Sequence, residues 1–206
     1  MFDDTMLIRL VETAGRALEH EDRLITCCSR ESAPLYDDDR PPGLLRFPSK
    51  EKYYQFLILR GLMAGYPLGA DIECEERYDF VLFRRDLAGL REIQAVGEMK
   101  IWLSPEGTRE LPKVRDDVAK LRGSGHPSFF LVATAWAPGT RDEQTSFLMR
   151  NLGEPALQLV HVYEFRTIGW ASQRDTNFAL LGFSVKTPQP PQDQLDSEAA
   201  TAIVDP

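Results

Sequence analysis

Cysteine and histidine are scarce in this chain, and their positions exclude several kinds of site. The three cysteines, Cys27, Cys28 and Cys74, have no metal-ligand spacing, and their odd number does not suggest a disulfide framework. The three histidines are scattered, and no serine or cysteine lies in a recognisable nucleophile context. Triad chemistry and zinc-finger sites are therefore not expected.

Long apolar runs, phosphate-binding glycine loops and internal repeats are also absent from the sequence. No apolar stretch approaches the length that spans a bilayer. Residues 1–4 are acidic and lack the basic-then-apolar order of a signal peptide. Neither a P-loop nor a Gly-x-Gly-x-x-Gly pattern occurs. We therefore expect a cytoplasmic protein with no membrane partner.

Positive charge is in short supply, with 24 Lys and Arg against 32 Asp and Glu and a net charge of −8. Phosphate neutralisation requires Lys and Arg, so this balance argues mildly against a broad nucleic-acid surface. Half of the net charge, however, lies after Lys186, where four acids and no basic residue occur. A nuclease can also be acidic overall, because its metal-binding carboxylates add negative charge.

The 206 residues are 43% hydrophobic and 27% charged, which fits a soluble chain that builds one substantial core. Apolar periodicity predicts helices over 4–20, 50–64, 110–122 and 141–152. It predicts strands over 69–77, 78–83, 92–103, 128–137, 157–165 and 178–185. The near-continuous apolar run in 128–137 favours a central strand covered on both faces. The sequence thus predicts an α/β (α+β) fold.

Composition divides the chain into three predicted parts. Residues 1–40 hold an amphipathic helix and an acidic loop, which we expect to pack on the core. Residues 41–187 hold the main domain. Residues 188–206 begin among prolines and are polar and acidic, so we expect this tail to be disordered.

Two neighbouring apolar strands carry charged residues that a buried strand would not need. One face of 92–103 is entirely apolar, with Ile93, Ala95, Gly97, Met99, Ile101 and Leu103. The opposite face carries Glu98 and Lys100, and Asp79 leads directly into the apolar residues of 78–83. Burying a carboxylate costs free energy unless it meets a cation or a metal.

Two carboxylates on adjacent strands, with a lysine two residues past the second, have the composition of a hard-cation site. Mg²⁺ prefers oxygen ligands and needs only one or two carboxylates besides a substrate phosphate. Such a cation polarises a phosphodiester and lowers the pKa of a bound water. The lysine can orient that water or stabilise charge on the phosphate. The alternative is an ion-pair cluster of Asp79, Glu98 and Lys100 with no catalytic role.

This pattern resembles the PD-(D/E)XK nuclease superfamily, which has the restriction-endonuclease-like fold. Its signature is an aspartate in one strand and Glu/Asp-x-Lys in the next, matched here by Asp79 and by Glu98-Met99-Lys100. Tyr78 stands where the motif has proline. The resemblance covers about residues 50–137. It implies a mixed central β-sheet flanked by helices in the order αβββαβ, with C-terminal additions.

The resemblance also implies a cofactor and the roles of individual residues. Mg²⁺ or Mn²⁺ would be bound by Asp79, Glu98 and the backbone carbonyl of Met99. Lys100 would complete the catalytic set.

Four further residues are implied as additional members of the site. Families with this fold often place another carboxylate on the helix before the first strand, and Glu51 or Gln55 could fill that position. A favourable contact with the helix dipole otherwise explains Glu51. Lys113 or Asp117, on the helix after the motif, could support the site from a second layer. The outer face of that helix holds Arg109, Lys113, Arg115, Asp116, Lys120 and Arg122, which indicates either a solvated face or phosphate contacts.

The sequence therefore predicts a Mg²⁺-dependent nuclease that hydrolyses phosphodiester bonds, with DNA favoured over RNA. The alternative is a non-catalytic restriction-endonuclease-like binding or regulatory subunit. No recognition domain is visible, so specificity would come from loops, from a homodimer or from a partner subunit.

Overall fold

The computed structural model describes residues 2–31, 43–47, 50–65, 71–73, 77–103, 111–152, 155–168 and 175–186. These residues form a six-stranded mixed β-sheet flanked by helices, which confirms the predicted α/β class at that level. None of their helices is both long and apolar enough to cross a bilayer. The predicted acidic loop at 37–39 and the tail at 188–206 lie outside the described residues. The three-part division of the chain stays a prediction.

Helices and strands follow one another in nearly the predicted order and positions. The helices are α1 (Asp4–Glu31), α2 (Glu51–Gly65), α3 (Leu111–Arg122) and α4 (Arg141–Leu152). The strands are β1 (Asp71–Glu73), β2 (Phe80–Arg85), β3 (Arg91–Trp102), β4 (Ser128–Trp136), β5 (Leu157–Ile168) and β6 (Asp175–Val185). Helix α1 is longer than the predicted 4–20, because neither glycine nor proline occurs between His20 and its end at Glu31.

The strand order is β1-β2-β3-β4-β6-β5. Strands β3 and β4 are parallel and are connected through α3, whereas the other neighbouring strands are antiparallel. Strand β4 lies inside the sheet and is buried along nearly its whole length, as its continuous apolar run predicts.

Helices α1 and α2 cover one face of the sheet, here called the first face, and α3 and α4 cover the second face. Buried side chains on the first face come from both helices: Leu7, Leu10, Val11, Ala14 and Leu18 from α1, and Tyr54, Leu57, Ile58 and Leu62 from α2. Those on the second face are Val114, Val118 and Leu121 from α3, and Leu148 and Leu152 from α4. The sheet is therefore the middle of three layers.

Strand β3 contains a bulge that changes which face one of its residues occupies. Leu82 pairs with Ala95 and Phe83 pairs with Ile93, so Gln94 has no partner in β2. The extra residue reverses the alternation of side chains. Ile93 therefore packs on the second face, and its predicted place beside Ala95 is wrong. From Ala95 onward the alternation is as predicted, with Met99 on the first face.

Candidate active site

The candidate site lies where β2 and β3 stop pairing. Their last pair is Phe80 with Gly97, whereas β3 continues to Trp102. On its other side, β3 pairs with β4 as far as Trp102. Beyond Gly97, the edge of β3 that faces β2 thus has no strand partner among the described residues. Backbone groups on that edge need other hydrogen-bond partners or a ligand.

Asp79 supplies the first of these partners. It directly precedes β2, and its Oδ2 accepts a hydrogen bond of 2.9 Å from the backbone N–H of Met99. The side chain thereby continues the hydrogen bonding of the sheet by one residue after the strands separate. The same contact brings the Asp79 carboxylate beside Glu98, whose pKa its negative charge helps to raise.

Glu98 is buried on the second face, and only 3% of its side chain is exposed. Its Oε1 lies 2.5 Å from the Nζ of Lys120, an ion pair that reaches it from α3. Burial, with added repulsion from Asp79 and Asp117, raises the pKa of Glu98 to about 7, although Lys120 opposes the shift. This carboxyl group therefore holds its proton more tightly than a solvent-exposed glutamic acid does.

Lys100 lies on the same face, and its side chain is 14% exposed. Its Nζ donates hydrogen bonds of 3.1 Å to Oε1 of Glu51 and of 3.1 Å to the backbone carbonyl of Met99, and lies 2.9 Å from Oδ2 of Asp117. Burial by itself lowers the pKa of Lys100, but Asp117 and Glu51 outweigh it and raise that pKa. Lys100 is therefore a firmly protonated cation.

Together these side chains form one group, here called the carboxylate–lysine cluster. Its members come from α2, the residue before β2, β3 and α3, and they are Glu51, Asp79, Glu98, Lys100, Asp117 and Lys120. Four carboxylates face two ammonium groups, so the fully ionised cluster has two negative charges in excess. Burial is the largest cause of the raised pKa of Glu98, and the negative charges of Asp79 and Asp117 add to it.

Sequence reasoning identifies five members of the cluster, and the structure brings these five together. Glu51, rather than Gln55, contacts Lys100, while Gln55 is buried one turn further along α2 and takes part in none of the contacts described above. Asp117 contacts Lys100, while Lys113 is exposed in the first turn of α3.

Lys120 is the member that sequence reasoning missed. The sequence assigns it to the outer basic face of α3, and this is wrong because its ammonium contacts the buried Glu98. A signal was available in its spacing. Lys120 follows Asp117 by three residues, which places both side chains on one side of a helix, beside the apolar stripe.

The ion pairs also differ from the simple alternative in which Asp79, Glu98 and Lys100 neutralise one another. In the described structure, Lys100 pairs with Glu51 and Asp117, and Glu98 pairs with Lys120. Asp79 bonds to backbone instead. Its charge therefore has no lysine partner among these contacts.

The donor atoms suit a hard divalent cation, although they are not arranged as a finished coordination sphere. Within the described residues, no three Asp, Glu, His or Cys side chains converge closely enough to hold a metal as they stand. Asp79, Glu98 and the Met99 carbonyl nevertheless offer oxygen atoms at one unpaired strand edge, which is the ligand type that Mg²⁺ and Mn²⁺ take. Glu98 Oε1 is also buried without a well-directed hydrogen bond. These residues fit such a cation.

Comparison of the chain with protein-family models, with curated proteins and with solved structures found no match.

Proposed function

We propose that the protein is a Mg²⁺-dependent nuclease with a restriction-endonuclease-like core. The observation that carries the proposal is the meeting of Asp79, Glu98, Lys100 and the Met99 backbone at the edge where β2 and β3 separate. The elements from α2 to β4 run in the order αβββαβ, which supports the core assignment.

The excess negative charge of the cluster supports a divalent cation as the missing partner. When all four carboxylates are ionised, the two ammonium groups leave an excess of two negative charges, which one Mg²⁺ or Mn²⁺ would balance. A cation beside Glu98 would also offset the cost of burying that carboxylate. In this proposal Asp79, Glu98 and the Met99 carbonyl hold the metal.

Each protein group then has a distinct chemical task. A bound Mg²⁺ would supply Lewis-acid polarisation of the phosphodiester and a more acidic water. Lys100 would place a fixed positive charge beside the scissile phosphate, where negative charge develops. Glu51 and Asp117 hold that ammonium from two sides, so it is already oriented before substrate arrives.

Exposed basic residues on α3 support a nucleic-acid substrate, and we propose DNA rather than RNA as that substrate. Lys113, Arg115 and Arg122 are all exposed on the helix that contributes Asp117 and Lys120 to the cluster. Phosphate contacts from such side chains would position a strand without reading its sequence. Cleavage at lower salt should therefore be faster than at higher salt.

The test combines metal binding with cleavage. Wild type and Asp79→Asn are titrated with Mg²⁺ and Mn²⁺ by calorimetry, and both are incubated with plasmid, single-stranded DNA and RNA. Asparagine keeps an oxygen that can accept the Met99 N–H, so the variant loses charge and not the backbone contact. Wild type should bind metal and cut DNA, while the variant should do neither. Metal-independent or absent cleavage by wild type would contradict the proposal.

Lys100→Met and Glu98→Gln extend the test to the other two catalytic residues. Each should lose cleavage by a factor of about 100 or more, because Lys100→Met removes the positive charge beside the phosphate and Glu98→Gln removes the charge of a metal ligand. Arg150→Met, an exposed residue in the last turn of α4, is the control for loss of a surface charge. Full activity in both cluster variants would exclude the assigned roles.

A non-catalytic binding or regulatory subunit is the second candidate, and one observation favours it. Lys100 and Lys120 already pair with three of the four carboxylates, so the cluster can serve as a structural ion-pair network. This function predicts metal binding or nucleic-acid binding without cleavage. A mobility-shift assay in Ca²⁺ alongside the cleavage assay in Mg²⁺ separates the two.

A further inference from the structure

The ammonium of Lys120 contacts the carboxylate of Glu98, which the proposed metal would also contact. Its Nζ lies 2.5 Å from Oε1 of Glu98, and the Glu98 side chain is nearly fully buried. The next carboxylate is more distant, with Oδ1 of Asp117 at 3.8 Å. Lys120 is thus chiefly the counter-ion of one buried carboxylate.

A metal and this ammonium cannot share that position. Mg²⁺ binds carboxylate oxygen at about 2.0–2.1 Å, so a Mg²⁺ ion on Glu98 would approach this carboxylate at least as closely as Lys120 Nζ, which lies 2.5 Å from Oε1. Two cations against one carboxylate oxygen would repel each other, and the oxygen has limited room because it is buried. Binding of one must therefore weaken binding of the other.

We propose that Lys120 is an internal counter-ion which holds Glu98 while the site is free of metal and is displaced when a divalent cation binds. The inference rests on the proposed function, because it takes Glu98 as a metal ligand. It adds a role that the motif itself does not contain. Lys120 lowers the affinity for metal and stabilises the metal-free fold.

The surroundings of Lys120 provide a place for the displaced ammonium. Its side chain is 33% exposed, so it can turn outward along the surface of α3. Its Nζ already lies 5.7 Å from the centre of the Tyr78 ring, a cation–π contact that remains within reach after Glu98 is released. Displacement therefore requires movement of one long side chain and no rearrangement of helix or sheet.

The first experiment measures Mn²⁺ binding by calorimetry in wild type, Lys120→Met, Lys120→Arg and Lys52→Met, at about pH 8.5 so that protons compete little for the carboxylates. Lys120→Met should bind Mn²⁺ at least about fivefold more tightly than wild type, because coupling between two competing ligands is reciprocal. Lys120→Arg keeps the competing charge and should bind like wild type. Lys52, exposed in the first turn of α2, controls for the loss of a distant positive charge.

A second measurement uses the melting temperature with and without Mn²⁺. Without metal, Lys120→Met should have a lower melting temperature than wild type, since Glu98 loses its counter-ion. When metal is added, the melting temperature of Lys120→Met should rise by more than that of wild type. In wild type, the ¹⁵Nζ signal of Lys120, assigned by its absence in Lys120→Arg, should shift when Mg²⁺ saturates the site. This signal keeps the inference testable even when Lys120→Met fails to fold.

The outcomes separate this inference from the nuclease proposal. Equal or weaker Mn²⁺ binding by Lys120→Met, or an unchanged Lys120 signal at Mg²⁺ saturation, would overturn the counter-ion role and leave the nuclease proposal intact. Tighter binding without any cleavage would support the counter-ion role while contradicting nuclease activity. Absence of metal binding in wild type and in Lys120→Met would overturn both.

Discussion

The buried Glu98 carboxylate should make the metal-free protein less stable as pH rises, and Glu98→Gln should remove that loss. Burial, reinforced by Asp79 and Asp117, raises the pKa of Glu98 from 4.5 to about 7. Between these values the folded protein keeps a proton that the unfolded chain has released. Its stabilising contribution is therefore complete below the unfolded pKa and is lost as pH rises through the folded one.

The magnitude follows from the size of the shift. A change from 4.5 to about 7 corresponds to about 3 kcal/mol of unfolding free energy, because one pKa unit is worth about 1.4 kcal/mol. Solvent screening reduces this little, since 3% of the Glu98 side chain is exposed. In a domain of this size, about 3 kcal/mol corresponds to a difference of about 6–12 °C in melting temperature.

The assay is urea unfolding of wild type and Glu98→Gln in EDTA at about pH 5 and about pH 8. Glutamine has nearly the same shape and remains neutral, so the variant should gain about 2–3 kcal/mol of unfolding free energy relative to wild type between the two pH values. Other titrating groups occur in both proteins and cancel in the difference. Glu143→Gln, exposed in the first turn of α4, controls for removal of a carboxylate elsewhere. A stability difference between wild type and Glu98→Gln that does not change with pH would refute the reasoning.

Three other substitutions test the geometry of the site. Lys100→Met should lower the free energy of unfolding by about 2–4 kcal/mol, because two carboxylates lose their shared cation; an unchanged urea midpoint would contradict this. Gly97→Ala should lower the free energy of unfolding by about 1–3 kcal/mol or more, because the alanine Cβ would lie 2.2 Å from Cζ of Phe129. A melting temperature equal to that of wild type would contradict this close contact. Asp79→Ala should be about 1 kcal/mol less stable than Asp79→Asn, because it leaves the Met99 N–H without its acceptor; equal stability would dispute the role of that bond.

Most elements of the fold can be predicted from the sequence because local periodicity specifies them. Helix α4 is predicted over 141–152 and observed at Arg141–Leu152. The apolar run of β4 also indicates its central position, since only a strand covered on both faces has no wet side. Helix α1 is less predictable in length, because it continues beyond the apolar stripe that identifies it.

The sequence alone determines the alternation of apolar and charged residues in β3, and it therefore singles out Asp79, Glu98 and Lys100 as chemically unusual. That inference needs only the period of a strand and the cost of burying charge. The sequence by itself cannot determine which oppositely charged residue each of these residues contacts, because ion pairs join residues that are distant along the chain.

Only the tertiary structure decides those partners. The crossover through α3 brings Asp117 and Lys120 over the strand that precedes it, and Lys120 then neutralises Glu98. The bulge at Gln94 likewise depends on pairing with β2, so the sequence of β3 by itself misplaces Ile93. Local pattern shows where charge is buried, whereas strand pairing and helix packing determine what compensates it.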